Sequence, residues 1–130
     1  MAEYERLQRI VDAQEDSVFL WGARQVGKST LVKTLYPKAK VYDLLMSDEY
    51  GRLMRRPQLL REELEHLGEE SLVIIDEIQK IPQLLDEVHW LIVNRGIRFI
   101  LCGSSARKVK RVGTNLLGGR ALSVKLYPLV

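Results

Sequence analysis

The sequence is poor in the residues that form disulfides and metal sites, with one cysteine and two histidines among 130 residues. Cys102 lies far in sequence from both His66 and His89, so the spacing typical of metal ligands is absent. The cysteine belongs to the apolar run 99–102. We therefore expect a small, buried strand residue in a reducing cytoplasm rather than a catalytic nucleophile.

Long hydrophobic runs are also missing. Every apolar run is far shorter than the roughly 18 residues that span a bilayer, and no basic stretch leads into an apolar one as in a secretion signal. We therefore expect a cytoplasmic protein without a membrane partner. Its apolar fraction of 46% and charged fraction of 28% are typical of globular proteins, and we expect residues 1–130 to form one domain.

Acidic residues are absent after Glu87. Residues 1–87 contain 12 basic and 17 acidic side chains, whereas residues 88–130 contain eight basic side chains and no acidic ones. The C-terminal third therefore carries a positive field that could face nucleotide phosphates, DNA, or an acidic neighbouring subunit or domain. Alternatively, it is a solvated basic surface without a dedicated partner. The basic run 107–111 contains no aromatic residue, which weakens the case for nucleic acid.

Glycine occurs at its average frequency, and two of the nine glycines frame a phosphate-binding motif, the P-loop. Residues 22–29 read G-x-x-x-x-G-K-S and follow the apolar run 17–21, which is typical of a strand. Such a loop aims backbone N–H groups at phosphate oxygens, and the helix that follows adds its positive N-terminus. We expect Lys28 to contact the β- and γ-phosphates and Ser29 to bind Mg²⁺. The predicted nucleotide-binding residues are Gly22, Ala23, Arg24, Gln25, Val26, Gly27, Lys28, Ser29 and Thr30.

The chain alternates between helical and strand patterns. Apolar spacing predicts a helix over 3–15, a helix from 29 to 36 ended by Pro37, and one or two surface helices over 47–67 broken at Pro57. A further helix over 82–94 closes at Gly96. Strands are predicted at residues 17–21, 40–45, 72–76, 97–102 and 121–126. Five strands alternating with helices predict an α/β fold with a mainly parallel sheet.

The strand at 72–76 is an uninterrupted apolar run that ends in Asp76, with Glu77 next. Ligands bind at the carboxyl ends of strands in an open α/β sheet, so the P-loop and these acids should converge on one site. We expect Asp76 to hold Mg²⁺ through a water molecule and Glu77 to orient the water that attacks the γ-phosphate. The alternative is two acids that merely leave the sheet into solvent.

Other residues could complete this site. Ser104 or Ser105 could hydrogen-bond to the γ-phosphate or the attacking water, although Gly-Ser-Ser is also ordinary loop sequence. Arg120 follows a glycine-containing loop and could stabilise transition-state charge in its own or a neighbouring subunit, or be a solvated arginine. No Asn-Lys-x-Asp sequence occurs, which favours ATP over GTP. We expect Trp21 and Trp90 to pack in the core or its rim rather than stack on a base.

Four segments occur in a characteristic order, at residues 22–29, 72–80, 100–107 and 116–120. Together they resemble the AAA-type P-loop ATPase domain of a large prokaryotic family. The resemblance implies a three-layer αβα fold with a five-stranded sheet of order 5-1-4-3-2, a Walker A motif at 22–29 and a Walker B motif at Asp76 and Glu77. It also implies a sensor-like residue at Ser104 or Ser105. Such domains are usually followed by a helical lid and a C-terminal, often nuclease-like, domain, and we expect this chain to lack the lid.

Our main hypothesis is an ATPase core that uses Mg²⁺ to hydrolyse ATP to ADP and phosphate, coupled to a conformational switch. Its catalytic residues would be Glu77, Lys28, Ser104 and Arg120, with Ser29 and Asp76 at the metal. Partners would include a second copy of the chain, DNA or a nuclease-like domain. A rival hypothesis is a module in which bound ATP controls a partner without turnover. Phosphoryl transfer to a small molecule is a third, for which no acceptor pocket can be identified.

Overall fold

The computed structural model describes residues 17–21, 28–69, 71–103 and 124–128, together with residues 5, 8, 9 and 12; for residues 21, 28–31 and 124–128 it describes the backbone alone. Five strands and four helices are described along these ranges. The strands are β1 Ser17–Trp21, β2 Lys40–Asp43, β3 Leu72–Asp76, β4 Arg98–Gly103 and β5 Val124–Pro128. The helices are α1 Lys28–Leu35, α2 Ser47–Arg55, α3 Gln58–Leu64 and α4 Leu84–Arg95, and a short 3₁₀ helix covers Ile78–Lys80.

The strands form a parallel sheet in the order β2-β3-β4-β1-β5. The predicted α/β class with a parallel sheet is therefore confirmed. Strands β1 to β4 follow the predicted order 1-4-3-2, and β5, described by its backbone, pairs with β1. Parallel neighbours require crossover connections, and helices α1 to α4 provide those between β1 and β4.

Helices pack on both faces of the sheet. Successive side chains of each strand point to opposite faces, so each strand contributes to the core on both sides. On one face, Phe19, Ile75 and Leu101 belong to a cluster of buried residues that includes side chains from α2, α3 and α4. On the other face, Leu20 and Ile100 pack with Val32 of α1. Because these strands are buried on both faces, their sequences are continuous apolar runs and do not alternate between apolar and polar residues.

The segment between β2 and β3 forms two helices that are broken where the sequence predicts. Pro57 stands immediately before α3, and the backbone N–H of Arg56 still bonds to the carbonyl of Arg52 as α2 ends. These helices do more than cover the surface, because Leu53, Leu60 and Leu64 are fully buried beneath them. The segment therefore supplies a large part of the core on its face of the sheet.

Several boundaries differ from the prediction by a few residues. Helix α4 begins at Leu84, since residues 82 and 83 form a turn, and it ends before Gly96, which has a φ of +67°. A Cβ at this glycine would lie 2.9 Å from Cγ of Glu69, so both the backbone and the space favour glycine. Strand β2 stops at Asp43, and β5 covers 124–128 rather than 121–126. Most of the predicted helix 3–15 lies outside the described residues.

Candidate functional site

The carboxyl ends of the parallel strands form one side of the sheet, which we call the carboxyl edge. Three segments that the sequence analysis identified meet there. Trp21, the residue before the P-loop, is paired with Gly103, the residue before Ser104. Asp76 is paired with Cys102 on the adjacent strand, and with Asp43 on its other side. The segments that begin at residues 22, 77 and 104 therefore leave the sheet at one edge, where α/β proteins bind ligands.

Asp76 ends the third strand as a buried residue. Its exposed fraction is 3%, and its carbonyl oxygen accepts a hydrogen bond of 3.2 Å from the backbone N–H of Leu44. An ionised carboxylate removed from water is costly unless a cation or hydrogen bonds compensate for it. A carboxylate at this position therefore suits a metal ion bound at the carboxyl edge.

Glu77 follows directly and has an unusual backbone. Its φ of 62° and ψ of 45° lie in the left-handed region. Among the described residues, Glu77 is the only one other than glycine with a positive φ. Its exposed fraction is also 3%, and its Oε1 accepts a hydrogen bond of 3.0 Å from Nε2 of Gln79. Left-handed residues other than glycine carry strain and cluster at functional sites. This backbone turn ends the strand abruptly and directs the chain into the 3₁₀ helix.

Asp43 is a residue at this edge that the sequence analysis did not single out. Its Oδ2 lies 3.8 Å from Nζ of Lys33, and its Oδ1 accepts a hydrogen bond of 3.0 Å from the backbone N–H of Leu45. The aspartate therefore connects β2 to helix α1 and fixes the turn that follows β2. An acid at the last position of a predicted strand region is the signal that could have found it, although β2 is less apolar than β3.

The described residues include only part of the predicted nucleotide site. The first turn of α1 contains Lys28, Ser29 and Thr30, whose backbone alone is described. The predicted residues outside the described ranges are Gly22, Ala23, Arg24, Gln25, Val26, Gly27, Ser104, Ser105 and Arg120, together with the basic run 107–111. The structure therefore describes the acidic half of the candidate site and the position at which helix α1 begins.

No group of three or more histidine, cysteine, aspartate or glutamate side chains that could hold a metal occurs among the described residues. This observation is compatible with Mg²⁺, which keeps several waters and takes oxygen atoms from one or two carboxylates and from substrate phosphates. The buried carboxylate of Asp76, a hard oxygen donor, fits that requirement. Helices of the described ranges are all too short or too polar to cross a membrane.

A second carboxylate cluster lies between β2 and the helices α2 and α3. Glu63 accepts hydrogen bonds from Nη1 of Arg52 and, at 2.9 Å, from the hydroxyl of Tyr42. Arg52 also forms an ion pair with Glu49. Partial burial alone would raise the pKa of Glu63, but the hydrogen bonds from Arg52 and Tyr42, with the charges of Arg52 and Lys40, hold that pKa below its ordinary value.

Trp90 packs at the rim of the core, as predicted. Its ring is half-buried on α4, with the guanidinium carbons of Arg61 and Arg95 at 5.7 and 5.2 Å from the ring centroid. Arg95 also donates a hydrogen bond of 2.7 Å to the carbonyl oxygen of Glu65. One basic residue of the C-terminal third is therefore engaged within the fold.

A cavity of about 710 Å³ opens at the opposite ends of the strands, where β2 and β3 begin. It is lined by the end of α1, the start of β2 and the end of α3, with Tyr36, Lys40 and Leu64 among its residues. Since β2 and β3 begin there, the cavity lies at the amino ends of these strands. It is therefore separate from the carboxyl edge at which Asp76 and Glu77 lie.

Comparison with known proteins identifies the class of this fold. A family model described as an AAA domain matches residues 14–130. RuvB of Thermotoga maritima superposes with a TM-score of 0.64 at 14% identity, covering 98% of this chain and 44% of that one. A structure of Pif1 helicases unwinding forked double-stranded DNA gives 0.63 at 16% identity, with 99% and 43% covered. PCH-2 of C. elegans gives 0.56 at 12% identity, with 98% and 38% covered.

The chain spans less than half the length of each of these structures. At such low identities, the likeness shows the fold alone. No curated protein matches the chain.

Proposed function

Since this chain belongs to the family of AAA domains, we propose that it binds ATP with Mg²⁺ at the carboxyl edge of its sheet and hydrolyses it to ADP and phosphate. One observation carries the proposal: the buried acid Asp76 ends β3 and the buried acid Glu77 follows it, at the edge where β1 leads into the P-loop sequence. Such a convergence of a phosphate-binding loop and a carboxylate pair is what metal-assisted phosphoryl transfer to water requires.

The proposed roles follow from the chemistry of each group. Lys28 contacts the β- and γ-phosphates, while the backbone of residues 22–30 cradles the phosphates. The Ser29 hydroxyl and the Asp76 carboxylate hold Mg²⁺, which supplies positive charge at the phosphate oxygens. Glu77 orients the attacking water and accepts its proton. Its burial keeps the carboxylate at a defined position beside the metal ligand.

Two further residues are assigned to the transition state. Ser104, or Ser105 beside it, hydrogen-bonds to the γ-phosphate or the attacking water, since β4 delivers this segment to the same edge. Arg120 neutralises developing negative charge, within its own subunit or across an interface with a second copy. The state of the γ-phosphate would then be coupled to the position of these segments.

The basic C-terminal third makes DNA the first macromolecular partner to test. Residues 88–130 contain eight basic side chains and no acidic ones. The helicase structure to which the fold is similar acts on forked DNA, and a positive surface attracts the phosphate backbone. A second copy of the chain and a nuclease-like domain are the other partners that we propose.

The decisive experiment measures ATP hydrolysis per protomer, with Mg²⁺ and with EDTA, across a series of protein concentrations. Lys28→Ala is the variant that should lose both ATP binding and turnover, because its side chain contacts the phosphates. Turnover that requires Mg²⁺ and rises with protein concentration would support an ATPase completed by a neighbouring copy. ATP binding with no turnover at any concentration would establish a binding module instead, and absence of binding would refute the proposal.

A further inference from the structure

Gln79 lies at the candidate site because of the backbone turn at Glu77. In a continuing strand, residues 77 and 79 would lie on the same face with their Cα atoms about 6.8 Å apart. The left-handed conformation of Glu77 breaks the strand, and the 3₁₀ helix that follows brings the amide of Gln79 back. Its Nε2 then lies 3.0 Å from Oε1 of Glu77.

The turn that carries Gln79 is fixed at several points. The backbone N–H of Lys80 bonds to the carbonyl of Glu77 at 3.0 Å, and that of Ile81 bonds to the carbonyl of Ile78 at 3.1 Å. Ile78 is fully buried in the core beneath the turn. The ammonium of Lys80 lies 4.8 Å from the ring centroid of Tyr50 on α2. Gln79 therefore presents its amide from a backbone that is anchored on both sides.

The chemistry of an amide suits a carboxylate that must remain basic. An ionised carboxylate can only accept hydrogen bonds, so the amide nitrogen of Gln79 must be the atom that faces it. A neutral donor restricts the rotation of the carboxylate without placing a full positive charge beside it, which would lower its affinity for a proton.

From this geometry we infer that Gln79 is a positioning residue, which holds the carboxylate of Glu77 in the orientation that activates the attacking water. The inference rests on the proposed ATPase function. Gln79 should therefore affect the hydrolysis step and not ATP binding, because its amide contacts the carboxylate of Glu77. Loss of this bond lets the carboxylate sample other rotamers, so we expect turnover to fall about tenfold with ATP affinity unchanged.

The experiment is a double-mutant cycle read by single-turnover hydrolysis of ATP with Mg²⁺. Gln79→Met keeps the length of the side chain and removes the donor, and Gln79→Glu keeps its shape and adds repulsion. Both should lower the rate about tenfold in the wild-type background and less than twofold in the Glu77→Gln background. Gln83→Met, the same change at an exposed residue, is the matched control and should leave the rate unchanged. ATP binding and thermal unfolding, measured for every variant, verify that each is folded.

Three results would overturn the inference. The first is that the Gln79 variants leave the rate of ATP hydrolysis unchanged, or raise it, in the wild-type background. The second is the same fold-loss in both backgrounds, since this would show that Gln79 acts independently of Glu77. The third is weaker ATP binding that accounts for the loss. A wild-type chain without turnover refutes the proposed function and the inference together, whereas normal wild-type turnover with any of these three results refutes the inference alone.

Discussion

Glu77 and Glu63 are carboxylates that the fold holds in different ways. Glu77 is almost fully buried at the carboxyl edge of the sheet, and a neutral amide donates to it. The side chain of Glu63 is 35% exposed, and a guanidinium and a phenol donate to it. The guanidinium keeps Glu63 ionised, because it holds the pKa of that carboxyl below the ordinary value.

The difference separates a structural carboxylate from a candidate catalytic one. Glu63 connects α3 to α2 through Arg52 and to β2 through Tyr42, so it holds three elements together as a permanent anion. Burial and the hydrogen bond to Glu63 raise the pKa of Tyr42, which keeps the phenol a donor. The donor shown at Oε1 of Glu77 is instead the neutral amide of Gln79.

The strongest test of this comparison applies one change to both carboxylates. Glu77→Gln should lower the turnover of ATP about 1,000-fold, or about 4 kcal/mol of activation free energy, because the amide cannot accept the proton of the attacking water. Glu63→Gln should change turnover less than about twofold, since Glu63 lies in the α2 and α3 layer. Hydrolysis at saturating ATP measures both. A similar loss of turnover for the two variants would contradict the distinction.

The next largest effect concerns the apolar part of the same layer. Leu60 on α3 is fully buried, so Leu60→Ala should lower the free energy of unfolding by about 3 kcal/mol through lost burial and the cavity that remains. Turnover per folded molecule should not change. Urea unfolding measures the loss, and Leu59→Ala, at a partly buried neighbour, is the control with a smaller loss. Unchanged stability with reduced turnover would show that α3 acts directly on the site.

The third test uses the pKa of Glu63. Because this pKa is depressed in the folded state, the stabilisation is complete above the unfolded value near 4.5 and is lost as pH falls through the folded value. Glu63→Gln should therefore cost about 1 kcal/mol at pH 7, discounted for the partial exposure of the pair, and progressively less as pH falls below about 4.5. Urea unfolding at a series of pH values measures this. A cost that grows at low pH would contradict the assigned ion pair.

Local patterns in the sequence predicted much of this architecture. The apolar runs at 17–21 and 72–76 correspond to β1 and β3, and Pro57 separates two helices as expected, because buried parallel strands and proline each have a local signature. The helix that follows the P-loop is also present as α1. The acidic half of the site could be located in the same way, since Asp76 ends an apolar run.

Contacts between distant segments could not be predicted in this way. Glu63 and Arg52 are 11 residues apart, and their contact depends on how α2 and α3 pack. The position of Asp43 opposite Asp76 depends on strand register, which local patterns leave unspecified. The left-handed turn at Glu77 violates local preference, because a non-glycine residue adopts it only where the surrounding structure imposes it. The contact of Gln79 with Glu77 follows from that turn.

The smallest predicted effect tests whether the contribution of Glu63 comes from its network or merely from an ion pair. Glu62 is the adjacent residue and pairs with Arg56 at 3.3 Å, but the two side chains are 44% and 55% exposed. Glu62→Gln should therefore change the free energy of unfolding by less than about 0.5 kcal/mol, because solvent and salt screen an exposed pair. Urea unfolding at low and high salt measures this against Glu63→Gln. A loss for Glu62→Gln equal to that for Glu63→Gln would show that hydrogen bonding to Tyr42 and partial burial add nothing, and that any ion pair on α3 stabilises the fold to the same extent.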